Sequence, residues 1–438
     1  MKFIVKKGGK LQGNIRVPGD KSISHRSIMF GSIADGVSHI SGFLEGEDSL
    51  NTLRAFKAMG VKIEGPEDGR VVINGVGMKG LKKPDHALDV GNSGTSMRLL
   101  SGLLSGQDFD LEMRGDASLS KRPMRRVTEP LSLMGARVST ADGGKPPLKI
   151  TGGVQLTGID YELPMASAQV KSCLLLAGLY ATGKTCVTEP AITRDHTERM
   201  LNAFGWPVQT DGSTMCVEGP AKLVACDIDV PADISSSAFF MVGASIAKGS
   251  DITLEHVGIN PTRTGVIDIL RLMGADIELQ NETTVGGEPV ADIRVRSAAL
   301  QGAIIPQRLV PLAIDEFPAI FIAAACAEGE TVVTGAEELR VKESDRIQVM
   351  VDGLQILGVD AVATEDGAII QGGNLGSVAD VCPIIHSQDD HRIAMAFAMA
   401  ALCSDTDFEI DECDNVNTSF PDFVGIASNS GLSISSQQ

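Results

Sequence analysis

The segment Lys342-Glu343-Ser344-Asp345-Arg346 places two cations and two carboxylates within one short stretch. As a helix start it would put Lys342 and Arg346 on one face, i and i+4, with Glu343 between them. A charged helix with an internal ion pair would carry the same letters. What argues for chemistry is that the pattern has counterparts elsewhere. Lys21, Ser22 and Arg26 lie in Gly19-Asp-Lys-Ser-Ile-Ser-His-Arg26, where Ser22 and Arg26 share a face and Lys21 sits beside the free amides of a helix start, against the dipole rule for stability. Asn92, Thr95 and Arg98 repeat that chemistry in Gly91-Asn-Ser-Gly-Thr-Ser-Met-Arg98, which also contains Gly94. Arg122 is aimed by the proline after it. Ser167, Ala168 and Gln169 open another apolar run with a cap and an amide able both to donate and to accept. His391 and Arg392, after Asp389-Asp390, stand at the mouth of the apolar run Ile393-Ala-Met-Ala-Phe-Ala-Met-Ala400, and Asp315-Glu-Phe-Pro318 opens one more. Helix starts with arginine close by attract anions, so a cleft on which they converge would suit a heavily anionic ligand.

The elements that must position these residues recur. Six times the chain runs from a small or polar opening through an Ala/Leu-rich stretch, a turn and a β-branched stretch to an amphipathic segment closing on glycine. The closing glycines are Gly60, Gly135, Gly205, Gly274, Gly358 and Gly431, too far apart for a solenoid and suited to one compact α/β unit each. In the third unit the pattern predicts helices over 169–180 and 195–204 and strands over 185–189 and 214–217. In the fourth it predicts helices over 235–246 and 264–273 and strands over 251–255 and 276–279. A strand over 1–18 precedes the first helix. The chain is expected to start in one domain, cross near Gly19, complete three repeats and cross back near Pro231. That gives a discontinuous domain of 1–19 with 232–438, and a second of 20–231. Gly178-Leu-Tyr-Ala-Thr-Gly183-Lys184-Thr185 matches G-x-x-x-x-G-K-T. A nucleotide loop needs a strand before it and a helix after; here the order is reversed, so it reads as a helix-to-strand turn.

Bulk composition excludes several classes. With 38 basic against 56 acidic residues and a net charge of −18 over 438 residues, neither nucleic acid nor an anionic membrane is an expected partner. One Trp and two Tyr leave little to stack bases on. The eight cysteines form no C-x-x-C pair and are expected as reduced, mostly buried thiols in a cytoplasmic protein. Met1–Lys10 has no apolar leader, and no apolar run is long enough to span a bilayer. Seven scattered histidines imply no metal, and nothing implies a cofactor.

On Gly19–Arg26, Gly91-Asn-Ser-Gly-Thr95, Arg340-Val-Lys-Glu-Ser-Asp-Arg346 and Asp390-His-Arg392, the chain over nearly its whole length resembles the enolpyruvyl transferases, in the branch that acts on shikimate 3-phosphate. The resemblance implies an inverse α/β barrel of two domains, each of three βαβαββ repeats, with the active site between them, and a monomer that shuts on its first substrate. It also implies transfer of enolpyruvate from phosphoenolpyruvate to the 5-hydroxyl of shikimate 3-phosphate, on the route to chorismate and aromatic amino acids. Lys21, Ser22, Arg26, Ser167, Ala168, Gln169, Arg194, Asp315 and Lys342 would then hold shikimate 3-phosphate. Lys21, Gly94, Arg122, Gln169, Arg346 and Arg392 would hold phosphoenolpyruvate, with Asn92, Thr95, Arg98 and His391 as further candidates. Glu343 would move the proton at C3, Asp315 would serve the 5-hydroxyl, and Lys21 would assist the leaving phosphate. Many relatives carry a lysine before the last Phe-Pro, where this chain has Asn417-Thr-Ser-Phe-Pro421. Gly94 leans the expectation toward glyphosate sensitivity, whereas Leu99 replaces a proline of many sensitive relatives. The sister branch, which acts on UDP-N-acetylglucosamine, normally uses a cysteine in the first half of the chain; none precedes Cys173. A non-catalytic anion-binding protein on the same scaffold is the other alternative, and the presence of Lys21, Asp315 and Glu343 together speaks against it.

Overall fold

The computed structural model describes residues 1–373, 375 and 382–438. It is a mixed α/β fold with, among the described residues, twelve α-helices and six small sheets. The chain divides into two compact units, one of Gly19–Val230 with Thr284–Glu288 and one of Met1–Pro18, Pro231–Thr283 and Pro289–Gln438.

The first of these contains α1 (Lys21–Ile33), α2 (Glu47–Ala58), α3 (Gly94–Ser105), α4 (Arg125–Leu133), α5 (Ala168–Gly178) and α6 (His196–Ala203). Its three sheets share one plan: a short parallel strand, then three strands joined antiparallel. The second unit contains α7 (Ile234–Ile246), α8 (Gly265–Leu272), α9 (Phe317–Cys326), α10 (Arg346–Ile356), α11 (His391–Ala400) and α12 (Phe423–Ser430). In one of its sheets the strand Lys2–Gly9 lies between Phe408–Asp411 and Leu432–Gln437. The stretch 1–18 is therefore not one strand. It breaks after Gly9, at φ +123°, and Gln12–Ile15 joins a different sheet beside Asp251–Gly258.

The helices fall into two kinds. α2, α4, α6 and α8 are amphipathic, with one polar face. In α1, α3 and α5, by contrast, every residue is buried except at the N-terminal turn, where the positions left partly open are Lys21 and Ser22, Thr95, and Ala168 and Gln169. A helix packed on all sides offers only its ends to a ligand. α3 and α5 also cross closely: a Cβ on Gly102 would lie 2.0 Å from the Cys173 carbonyl oxygen, so only glycine fits there.

The patterns of the third and fourth repeats correspond to α5, Gly183–Thr188, α6 and Thr214–Gly219, and to α7, Asp251–Gly258, α8 and Asp276–Val285, with ends coincident or shifted by up to three residues, except that the last strand runs six residues further. The five internal closing glycines have φ between +81° and +92°, the left-handed conformation that ends a helix. Gly178 closes α5 and Gly183–Thr185 lies in a strand, so the G-x-x-x-x-G-K-T match is a helix-to-strand turn.

The cysteines require a correction. Cys186 and Cys216 face each other across antiparallel strands, with Cα atoms 4.1 Å apart, and form a disulfide. Strand register placed them together, and a separation of 30 residues carries no sign of that. Among the described residues no helix is long and apolar enough to cross a membrane.

Candidate active site

In the unit built on α1–α6, Asp20 caps α1, its side chain accepting from the Ile23 amide at 2.8 Å, which leaves Lys21 as the first helical residue. Lys21 Nζ donates to Asp48 at 3.1 Å. Arg26, one turn on and buried, donates through Nη1 to the Ser22 carbonyl at 2.9 Å, through Nη2 to Ser172 Oγ at 2.9 Å and through Nε to Thr197 Oγ1 at 2.8 Å. Burial lowers its guanidinium to about 10, against the pull of Glu198 and Asp20. His25 between them is pushed down to about 3 by burial and by the charges of Lys21 and Arg26, and is therefore neutral.

Ser93 caps α3, accepting from the Ser96 amide at 3.1 Å. Two guanidiniums stand over that helix start: a Cβ on Gly94 would be 3.0 Å from Arg98 Nη1 and 3.4 Å from Arg122 Nη1. Arg122 donates to Asn92 Oδ1 at 3.0 Å, and Asn92 in turn donates to Asp116 at 2.7 Å. Arg98 donates to Gln169 Oε1, while Gln169 Nε2 donates to Thr95 Oγ1 at 2.9 Å. Ser167 caps α5. The α3 and α5 starts are thus tied by one amide that accepts from an arginine and donates to a hydroxyl. This unit gathers hydroxyls, amides and guanidiniums, the chemistry of a phosphate or carboxylate receptor.

In the other unit the centre is Arg346, the first residue of α10, 1% exposed at its side chain. Its Nε donates to Asp390 at 2.8 Å, Nη1 to Asp315 at 3.2 Å and Nη2 to Glu343 at 2.6 Å. Burial alone would lower the Arg346 guanidinium; attraction from Asp390, Glu343 and Asp315 outweighs it and holds the group above its ordinary value. The fully buried Asp390 is held below the usual carboxylate range, burial being outweighed by Arg346. Lys342 Nζ lies 3.6 Å from Asp315 and donates to Glu338 at 3.0 Å. Arg392 donates to the Asp315 carbonyl at 2.8 Å, and its own amide is capped by Asp390, which places His391 at the start of α11.

One local expectation is corrected here. Lys342 and Arg346 do not share a helix face: Lys342 ends a 3-10 turn, Glu337–Val341, and Asp345 caps α10, so residues 342–344 are a loop. The Asp345 cap, with its side chain accepting from Gln348 at 3.1 Å, delays the helix. What joins Lys342 to Arg346 is Asp315, from the loop before α9. The residues missed from sequence are the carboxylates that set the cations: Asp390 on Arg346, Asp48 on Lys21, and Asp116 on Arg122 through Asn92. Asp390, next to a recognised pair, carried a signal as a helix cap; the others carried none.

A family model described as EPSP synthase (3-phosphoshikimate 1-carboxyvinyltransferase) matches residues 5–426. The chain belongs to the EPSP synthase family. Among its relatives, the 3-phosphoshikimate 1-carboxyvinyltransferase of Alkalilimnicola ehrlichii is 65% identical over 434 residues, covering 99% of this chain and 96% of that protein. That of Hydrogenovibrio crunogenus is 64% identical over 439 residues, covering 99% and 98%. The solved EPSP synthase of Acinetobacter baumannii is 60% identical, with a TM-score of 0.90 and each chain covered in full. In this EPSP synthase-family chain, the segment before the last Phe-Pro is a 3-10 turn, Asp414–Thr418, whose Asn415 donates to the Asp389 carbonyl at 2.8 Å.

Proposed function

We propose that the two clusters contribute to one active site, which joins phosphoenolpyruvate to the 5-hydroxyl of shikimate 3-phosphate and releases inorganic phosphate. The chain is an enzyme of that kind, a 3-phosphoshikimate 1-carboxyvinyltransferase. The fold we assign is the two-domain inverse α/β barrel of six βαβαββ-type repeats, three per domain; six small sheets and twelve helices among the described residues support it.

The reaction protonates C3 of phosphoenolpyruvate while the 5-hydroxyl attacks C2 and gives up its proton. The tetrahedral adduct then loses phosphate and one C3 proton to restore the double bond. An acid and a base are both required, beside groups that hold four or more negative charges. The observation that carries the assignment is Arg346 shared among three carboxylates. Of these, Glu343 has 29% of its side chain exposed, against 15% for Asp315 and none for Asp390. One guanidinium cannot fully neutralise three carboxylates and incoming anions, and Glu343, the most open of the three, is the one a substrate carbon can reach. Glu343 therefore serves C3 as donor and later acceptor. Asp315, between Lys342 and Arg346, takes or orients the 5-hydroxyl proton. Lys21, Gly94, Arg122, Gln169, Arg346 and Arg392 hold phosphoenolpyruvate, with Lys21 assisting the departing phosphate. Lys21, Ser22, Arg26, Ser167, Ala168, Gln169, Arg194, Asp315 and Lys342 hold shikimate 3-phosphate.

The decisive assay is phosphate release from phosphoenolpyruvate that depends on shikimate 3-phosphate. Glu343→Gln keeps the Arg346 contact through its amide oxygen and loses the proton, so kcat should fall by about 10²–10⁴ with both KM values within a few fold. Near wild-type turnover would remove Glu343 from this role. Turnover with UDP-N-acetylglucosamine in place of shikimate 3-phosphate would move the chain to the sister branch.

A further inference from the structure

Within the α1–α6 unit lies a charged cluster to which the reaction gives no part. Lys171, on α5 and 1% exposed at its side chain, has Nζ 2.7 Å from Glu189 Oε1 and 2.7 Å from Glu198 Oε1. Those carboxylate side chains are 2% and 7% exposed. Burial raises the Glu198 carboxyl, against the pull of Lys171.

The placement of the partners is informative. Glu189 follows the strand Gly183–Thr188, and Glu198 lies in the first turn of α6. Lys171 therefore grips both ends of the intervening segment, 189–195, which carries Arg194. Inside the segment, Thr193 Oγ1 donates to the second oxygen of Glu189. The neighbours of the cluster on the same two helices are Ser172 and Thr197. Thr197 donates to Ser172 at 2.8 Å, and both accept from the Arg26 guanidinium. Arg194 lies near enough for its charge to disfavour that of Arg26. The same α5–α6 contact thus sets a buried arginine on one side and the anchor points of a second arginine on the other.

We propose that Lys171, Glu189 and Glu198 are positioning residues, which hold the segment 189–195 so that Arg194 is presented to shikimate 3-phosphate. This rests on the function assigned above. Two like charges brought together repel unless an anion joins them, so the scaffold must impose the arrangement before the ligand arrives. Stability is a poor explanation for the cluster, because a buried ion group is often matched or exceeded by apolar residues of the same volume.

The test compares wild type with Glu189→Gln and with the triple variant Lys171→Met/Glu189→Gln/Glu198→Gln, which removes every buried charge of the cluster together. A misplacement of about 1 Å costs on the order of 10²-fold, so the KM for shikimate 3-phosphate should rise roughly 10- to 100-fold in the triple variant. The KM for phosphoenolpyruvate should stay within about twofold and the denaturation midpoint should stay close to wild type. A merely structural cluster would instead lower the midpoint and move both KM values, or kcat, together, and that result overturns the proposal. So does an unchanged KM for shikimate 3-phosphate. If the triple variant does not fold, Glu189→Gln decides by the same split between the two KM values. Calorimetric binding of shikimate 3-phosphate, run on all the proteins, separates the two readings. Wild type that binds it without turnover ends the catalytic assignment alone, whereas equal binding by wild type and variant ends the positioning role alone. Wild type that does neither ends both.

Discussion

Gly94→Ala should separate stability from catalysis, because the structure gives it opposite signs in the two. The added methyl would lie 3.0 Å from Arg98 Nη1 and 3.4 Å from Arg122 Nη1. Comfortable contact lies about 0.5 Å beyond the shorter distance, so the Arg98 tip must retreat by about that much. Arg98 is tied to Gln169, and Gln169 to Thr95, so the displacement reaches three groups at the α3 and α5 starts. If 1 Å of misplacement costs on the order of 10²-fold, half of that costs about tenfold in kcat/KM for phosphoenolpyruvate, or ~1.4 kcal/mol of transition-state stabilisation. Gly94 is the first residue of α3 and has no positive φ, so alanine there is backbone-compatible and should stabilise the fold by about 0.4–1 kcal/mol. Steady-state kinetics with each substrate varied, beside a urea titration, read both effects. The expected pattern is a kcat/KM for phosphoenolpyruvate down about tenfold, a KM for shikimate 3-phosphate changed less than about threefold, and a urea midpoint equal or higher. An unchanged kcat/KM would show that the two guanidiniums do not hold phosphoenolpyruvate, and a clearly lower midpoint would show that the methyl is not absorbed by side-chain movement.

Further outcomes follow from the same geometry. His25 has a folded value of about 3, below its ordinary 6.5, so the unfolded chain binds a proton between those values that the folded chain does not. Stability is full above pH 6.5 and falls as pH drops toward 3, by up to ~1.4 kcal/mol per unit, so between pH 7 and 5 His25→Gln should lose about 2 kcal/mol less than wild type. Parallel curves for the two proteins in denaturant titrations at both pH values would refute this. Arg346→Met leaves Asp390 buried without its counter-charge and should cost about 3–5 kcal/mol, whereas Arg346→Met/Asp390→Leu should recover much of it; double-mutant unfolding measures the difference. Reduction of Cys186–Cys216, which closes a loop of 30 residues, should lower stability by up to about 3.6 kcal/mol relative to the oxidised protein. Mass mapping without reductant checks the link, and its absence together with an unchanged midpoint in reductant would refute it.

Several parts of the site were legible without coordinates, each for a local reason. Lys21, Ser22, Thr95, Ala168 and Gln169 could be picked out because each stands where a polar opening meets an unbroken apolar run. These are also the positions that the buried helices α1, α3 and α5 leave partly open. The reading of Lys342–Arg346 as a continuous helix failed at Asp345. An i,i+4 spacing of charges suits a helix and a capped loop equally, and the cap decides which forms.

The amino-acid sequence by itself determined the repeat, the order and type of most elements, the closing glycines, and which helix starts carry amides and cations, because all of these follow from near neighbours along the chain. Only the tertiary structure decided which charges are buried and with whom. Arg346 collects carboxylates from three separate segments, Lys171 meets Glu189 and Glu198, and Cys186 meets Cys216 through strand register. The free energy of a charge depends on the dielectric and the partners around it, and both are supplied by parts of the chain that no local pattern of letters connects.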